Sequence, residues 1–401
     1  MQVSSLVNRL SSGTVFIAAS HLSLELTNNF LPVAYPLFIR EMGLSYSQIG
    51  TIALVSIVAA TLLQPLFGYL SDRFDSRLIL LASIAWIGTI MGLTGLVRSY
   101  WLLVVVVGLG GLGSAAFHPA AAALASAVAG RRRGASMSLF SVGGNLGAAL
   151  SPLLIGAALL RAGLPGTLFL IPLVWIFSLV LYLRLGQLPA DHRLASRDKT
   201  SGRSRRARGD GVEIGSWLAL ILVVLITATR SWFQGALNTY LPEWLQGQGW
   251  SPEHANTLLS VLLASVAVGS LTGGTVSDRV GRVAVVFVSF TLLTPALWLL
   301  LNSSGFVQVL AVALVGVNVG ATFPVTLLMA QEAWPRAVGL ASSLAIGFGW
   351  LPAGIGAWAV GAVADRSSLT LGLTTLLLVP LLGLAAAVIF QTRFRRGMIE
   401  A

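Results

Sequence analysis

The sequence predicts an all-α membrane protein, with twelve transmembrane helices in two pseudo-symmetric six-helix halves. Three observations carry that prediction. Of 401 residues, 56% are hydrophobic and only 10% charged, with a mean hydropathy of +0.85, whereas a soluble domain carries about a quarter of its residues as charges. Apolar runs of about 20 residues, the length that crosses the hydrocarbon core as a helix, recur along the chain. Sequence landmarks also recur in the same order in both halves, at offsets between 205 and 210 residues.

Taken in order, the apolar runs fall at about 13–39, 46–71, 77–97, 100–127, 134–160 and 165–186, and then at 215–245, 252–277, 282–302, 306–331, 336–364 and 368–390. The first run is too long for a cleaved signal peptide and lacks a small-residue cleavage pattern, so it is expected to be retained as a span. Residues 187–215 form the one long hydrophilic interval, with Arg193, Arg197, Lys199, Arg203, Arg205, Arg206 and Arg208 among Ser, Gly and Ala. This divides the chain into an N-terminal half (1–186), a disordered basic linker (187–215) and a C-terminal half (216–401). Assigning alternate loops to opposite sides gathers twenty of the 25 basic residues on one side. The positive-inside rule makes that side the cytoplasm, with both termini and the linker in it and the chain in the inner (plasma) membrane. The net charge of +11 is then topological, and no nucleic-acid partner is expected.

The internal repeat is specific. Gly68-Tyr-Leu-Ser-Asp72-Arg73 after the second span returns as Gly274-Thr-Val-Ser-Asp278-Arg279 after the eighth. Leu31-Pro32 recurs as Leu241-Pro242, Pro119 as Pro324, and Gly134 as Gly339. Ordered matches of this kind indicate a duplicated unit, the architecture that places a substrate site between halves at the bilayer midplane.

The same residues exclude most enzyme chemistry. There is no cysteine for disulfides, thiolate metal sites or thiol nucleophiles. The single lysine, Lys199, is not preceded by glycine, so there is no Walker A loop; His-Glu-x-x-His and Gly-x-Ser-x-Gly are also missing. The expectation is a non-enzyme without cofactor or metal, a monomer whose partners are a small-molecule substrate, protons and the lipid bilayer.

The repeated Gly-x-x-x-Asp-Arg element, followed by Arg77 in one half and Gly281-Arg282 in the other, resembles the signature of the major facilitator superfamily. In the first half the usual glycine is replaced, giving Arg73-Phe-Asp75-Ser-Arg77. The resemblance implies that Asp72, Arg73, Asp278 and Arg279 serve an inner gate. Three further stretches are similar to the fosmidomycin-resistance family of proton-coupled exporters: His21-Leu-Ser-Leu-Glu25 with Leu31-Pro32 and Tyr35-Pro36; Gly111-Leu-Gly-Ser-Ala-Ala-Phe117-His118-Pro119; and Val142-Gly143-Gly144-Asn145-Leu-Gly147. That family tends to have an aspartate where Glu25 stands and an acidic residue where Ala120 stands. Gly147-Ala-Ala-Leu-Ser151-Pro152-Leu-Leu-Ile-Gly156 is similar to the antiporter motif Gly-x-x-x-Gly-Pro-x-x-Gly-Gly with two substitutions, a pattern that permits close packing and a bend.

Polar residues inside spans are costly and mark function. In the first span His21 and Glu25 are four apart, with Asn28 or Asn29 on nearly the same face. A carboxyl and an imidazole at that spacing can exchange a proton in the working pH range, which makes Glu25 the candidate proton carrier and His21 its tuner. In the seventh span Arg230, Gln234 and Asn238 share a face. Arg230 is a permanent cation with a planar donor fork. It suits a carboxylate, phosphate or phosphonate; the alternatives are an internal pair with Glu25 or a place near the lipid headgroups. His118, Asn145, Gln64 and Asn318 complete the candidate substrate ligands with Asn28, while Glu332 is placed at the gate. Trp101, Trp244, Trp250 and Trp334, near span ends, are expected to anchor the interfaces. The expected activity is proton-coupled export of a small amphipathic or anionic compound, such as a phosphonate-type drug, by alternating access; the alternative is a proton-coupled uptake symporter for an organic anion.

Overall fold

A computed structural model describes residues 12–71, 73–128, 133–184, 217–334, 341–342, 344–345 and 349–394. The linker 187–215, Asp72 and Gly339 lie outside the described residues, as do the side chains of Ser126, Arg133 and Ala135. Every regular element among the described residues is a helix, as a bilayer-spanning chain requires unless it closes into a barrel. Among the described residues, ten helical stretches are long and apolar enough to cross a membrane: Tyr46–Ser71, Ser76–Leu96, Tyr100–Ala125, Ser136–Ala162, Leu164–Leu183, Trp217–Gly247, Pro252–Val280, Arg282–Asn302, Gly305–Ala333 and Leu369–Phe394.

The first span, expected as one run, is two helices, α1 (Ser12–Asn28) and α2 (Leu31–Met42). Asn29 ends α1 by folding its side-chain amide back to Glu25 O at 2.9 Å, and Pro32, which has no amide proton, suits the opening turn of α2. The second span breaks likewise into α3 (Tyr46–Leu62) and α4 (Gln64–Ser71) just before Pro65. The chain continues through α5 (Ser76–Gly92), α6 (Tyr100–Val128), α7 (Arg133–Ala162), α8 (Leu170–Leu183), α9 (Trp217–Gly247) and α10 (Pro252–Val280). Then come α11 (Arg282–Asn302), α12 (Gly305–Ala333), α13 (Gly349–Arg366), α14 (Leu369–Thr374) and α15 (Val379–Phe394). Ser251 caps α10 by accepting from His254 N, with Pro252 at the first helical position. Asp278 and Arg279, expected in a loop, instead continue α10, which stops at Gly281 with φ 91°.

The described residues pack as two units, one of 12–30 with 59–184 and the other of 31–58 with 217–394. In the first, α7 lies on α1 and α5 is sandwiched by α6 and α8. Gly143 and Gly147 allow the backbones to touch, since a Cβ at either would strike the carbonyl of Ala18 or Leu22. Ser151, which stands where the antiporter motif has glycine, donates to Leu26 O at 2.6 Å. In the second unit, α9 packs on α13 and α15, and α10 on α12.

The segment α2–α3 belongs to that second unit through a close contact with α13. A Cβ at Gly50 would come within 2.5 Å of Trp358 Cα, and one at Gly361 within 2.5 Å of Tyr46 O. The Tyr240 hydroxyl lies 2.7 Å from Tyr46 O and 2.9 Å from Ala357 O. Asp365, just beyond the apolar stretch of α13, accepts from the amides of Tyr46 (2.7 Å) and Ser47 (3.0 Å), capping α3 from outside its own segment. Burial alone would push its carboxyl up, but hydrogen bonds from Ser47, Tyr46 and Ser45 outweigh that and hold it below the usual aspartate range.

A carboxyl lowered on folding stabilises fully above its unfolded value, about 3.9, and loses that contribution as pH falls through the lower folded value. Asp365→Ala is therefore expected to cost about 1 kcal/mol of apparent stability. The deficit should be constant from about pH 5 to 8 and shrink below about pH 4, as measured by thermal unfolding of the purified chain. A deficit that vanishes between pH 5 and 8 would overturn the capping account.

Candidate functional site

Among the described residues, two polar clusters lie inside spans, one in each packing unit. The first is built on α1, whose one-turn spacing brings His21 beneath Glu25. His21 Nε2 is 3.5 Å from Glu25 Oε1, and His118 Nε2, from α6, is 3.8 Å from the same oxygen. Asn29 donates to Glu25 Oε2 at 2.9 Å, so each carboxylate oxygen has a polar neighbour. The His21 ring is stacked on Phe140 at 4.1 Å and on Phe117 at 5.8 Å, with His118 edge-on at 5.7 Å. His21 Nδ1 lies 2.9 Å from the backbone oxygen of Phe140 on α7. Asn28 donates to Ser114 Oγ on α6 at 3.2 Å. The side chains of His21, Glu25 and His118 are 13%, 20% and 33% exposed. The cluster is thus largely enclosed yet not sealed.

His118 precedes Pro119 in α6 and faces Glu25, so it joins the carboxylate cluster. Asn145 is half-buried on α7 directly after the glycine pair. Gln64 is turned back onto its own segment, donating to Ala60 O at 3.0 Å. Asn318 does the same on α12, donating to Leu314 O at 2.8 Å. The side-chain amides of Gln64 and Asn318 thus spend donors on carbonyls of their own segments, inside spans where a free amide would be expensive.

The second cluster centres on Arg230 of α9, which is 1% exposed. Its Nη1 donates to Gln234 Oε1 at 2.9 Å, one turn along the same face, and its Nη2 to Ser231 Oγ at 3.0 Å. The guanidinium carbon sits 5.1 Å from the Trp350 ring and 5.2 Å from the Phe323 ring, a distance at which aromatic faces attract a cation. Nε is buried without a partner, as is Oδ1 of Asn238. Arg230 forms no ion pair among the described residues. A small cavity lined by Thr227, Arg230, Phe323, Thr326, Leu327, Ala345 and Trp350 adjoins it. The arrangement is a desolvated cation whose unpartnered Nε edge, with the free hydrogen of Nη2, can grip a pair of anionic oxygens side-on.

At the expected gate, Asp75 caps α5 and pairs with Arg77 at 2.6 Å, while Arg73 lies over the Tyr69 ring at 4.3 Å. Arg282 pairs with Glu332, in keeping with the position of Glu332 at the end of α12; Asp278 and Arg279 are exposed on the last turn of α10. Trp244 is not an interface anchor: it is 3% exposed and donates to Thr370 Oγ1 at 3.0 Å. Proximity to a span end placed it wrongly, because packing against α14 buries that face. Ser231, Phe323, Trp350, Phe117 and Phe140 were missed by sequence reasoning. Apolar rings and a lone serine in a span have no signal until the helices that bring them to a charge are packed.

The family model for the Major Facilitator Superfamily matches residues 17–250 and 223–398. The chain belongs to that superfamily. It is 29% identical over 377 residues to the fosmidomycin resistance protein of Escherichia coli (strain K12), covering 92% of this chain and 90% of that one. It is also 29% identical over 377 residues to the uncharacterized MFS-type transporter YfnC of Bacillus subtilis (strain 168), covering 93% and 91%. A solved structure of a bacterial homologue of the human lysosomal transporter Spinster superposes with a TM-score of 0.79 at 13% identity, over 96% of this chain and 97% of that one. The chain is therefore a multi-pass membrane protein with the family and twelve-helix fold of small-molecule transporters, not of enzymes.

Proposed function

We propose that this transporter is proton-coupled and exports a small amphipathic or anionic compound in exchange for protons. The observation that carries the reading is Glu25, a carboxylate inside the first span with an imidazole on either side of one oxygen, at 3.5 and 3.8 Å. Such a group can take up and release a proton without leaving the protein interior. The Arg230 cation supplies the matching site for an anionic substrate group, and Gln234 and Asn238 of the same helix are the polar groups available to orient it. The similarity to a fosmidomycin resistance protein favours export of a phosphonate. The proposed working unit is a monomer of two halves, 1–186 and 216–401, in the inner membrane.

Glu25→Gln is expected to abolish transport driven by a pH gradient in proteoliposomes while substrate exchange persists, since exchange needs reorientation without net proton release. Unchanged gradient-driven transport would remove Glu25 from the mechanism.

Affinity for a phosphonate or carboxylate, measured by calorimetry, should fall in the order Arg230, Lys, Ala. The first step loses the planar fork and the second the charge, each about tenfold or more. Arg230→Met should still fold. A stability loss near ~3–5 kcal/mol in that variant would instead reveal a buried carboxylate partner.

The basic linker and both termini are proposed to be cytoplasmic. A cysteine introduced at Ser201, in a chain with no other, should react with an impermeant maleimide only after the cells are opened; labelling from outside intact cells would reverse the topology.

A further inference from the structure

We propose that the backbone carbonyl of Phe140 fixes the tautomer of His21, so that its Nε2 shares one proton with Glu25, and that Gly144 is the positioning residue that lets α7 do this. The inference rests on the proton-coupling reading and assigns to α7 control over the proton site.

The tautomer follows from donor and acceptor chemistry. A carbonyl oxygen only accepts, so the 2.9 Å contact between it and His21 Nδ1 requires the hydrogen to be on Nδ1. In the neutral ring Nε2 then carries a lone pair, and that lone pair faces Glu25 Oε1 at 3.5 Å. Two lone pairs in that position repel unless a proton lies between them. A proton between the two atoms removes that repulsion, and the proposed shared proton occupies this position, either as imidazolium with carboxylate or as imidazole with carboxylic acid. Asn29, donating to Oε2, keeps the other oxygen an acceptor and leaves Oε1 as the one that exchanges the proton. The titratable group facing this pair from α6 is His118, at 3.8 Å from the same oxygen. From α7 it is the Phe140 carbonyl and the Gly144 backbone that face the ring, and the arginines of that helix, Arg133 and Arg161, stand at its two ends. α5 brings only Arg77, at its start and paired with Asp75, and α8 carries no charged residue.

Gly144 is what makes the carbonyl available. In a helix a side chain covers the turn N-terminal to its own Cα, so residue 144 would shield the carbonyl of residue 140, one turn back. A Cβ there would sit 2.6 Å from His21 Nδ1 and 2.7 Å from Nε2, closer than any side chain tolerates. With glycine the second lone pair of the carbonyl stays open to the imidazole. Gly143 and Gly147 keep the two helix backbones together on either side. If α7 separates from α1, Nδ1 loses its acceptor and the ring is free to adopt the other tautomer or to turn. Proton release at Glu25 is in this way tied to the packing of the glycine-rich helix.

The test uses the full chain labelled with 15N-histidine in lipid nanodiscs, with His21 assigned through His21→Asn. At alkaline pH, where the ring is neutral, its resonances should be those of the Nδ1–H tautomer. Gly144→Ala should abolish that signature and move the pH midpoint of gradient-driven transport by about one unit, a tenfold change in proton affinity. Substrate exchange without a gradient should stay within about twofold of the unaltered chain. Gly247→Ala, whose methyl would meet nothing within 4 Å, is the control and should move neither. An Nε2–H tautomer in the unaltered chain overturns the proposal even if Gly144→Ala fails to fold, as does a Gly144→Ala variant with an unshifted midpoint. Intact gradient-driven transport in Glu25→Gln would remove Glu25 as the proton carrier, and the tautomer spectrum is independent of that outcome.

Discussion

Hydrocarbon offers no hydrogen-bonding partner to a peptide group, and that single constraint organises this protein. It makes every described regular element a helix, and it dictates how the spans break. Near the breaks, side-chain amides spend their donors on helix carbonyls: Asn29 returns to Glu25 O and Gln64 to Ala60 O. Asn318 shows the same economy in α12. Polar residues in a span therefore divide into those that serve only the carbonyls of their own helix and those that reach other groups. Chemistry is to be sought among the second group.

Two sets of side chains belong to it. Glu25 with His21 and His118 is a carboxylate–imidazole cluster, flanked by Phe117 and Phe140, with polar partners from α1 and α6 and the Phe140 carbonyl of α7. Arg230 with Gln234, Ser231, Phe323 and Trp350 is a fixed cation held by neutral acceptors and aromatic faces. The difference in charge type matters. An imidazole–carboxylate set can change its charge state, while a guanidinium cannot. One cluster is suited to a coupling ion and the other to a substrate group of opposite sign.

Glycine does for this fold what large side chains do for a soluble core. At Gly143 and Gly147 the backbone of α7 touches that of α1, and at Gly50 and Gly361 α3 meets α13. Lipid gives helices no hydrophobic reason to associate, so contact has to come from close fit of small residues. Such surfaces can part without exposing large apolar side chains. That property suits helices which must exchange partners during transport.

The sequence by itself determined the class and the chemistry that had to be explained. Run lengths and charge distribution reported the spans, because their cost in a bilayer is set by composition. The i, i+4 spacing of His21 and Glu25, and of Arg230 and Gln234, reported shared faces, because helix periodicity is local. Tertiary structure alone decided which helix each face meets. His118 turned to Glu25, Phe140 lent a carbonyl from α7, Trp350 came to Arg230 from α13, and Asp365 capped α3 across more than three hundred residues of chain. Trp244 went inside rather than to the interface. A residue's partner on another helix depends on crossing angle and register, and neither is written in the local pattern of apolar and polar residues.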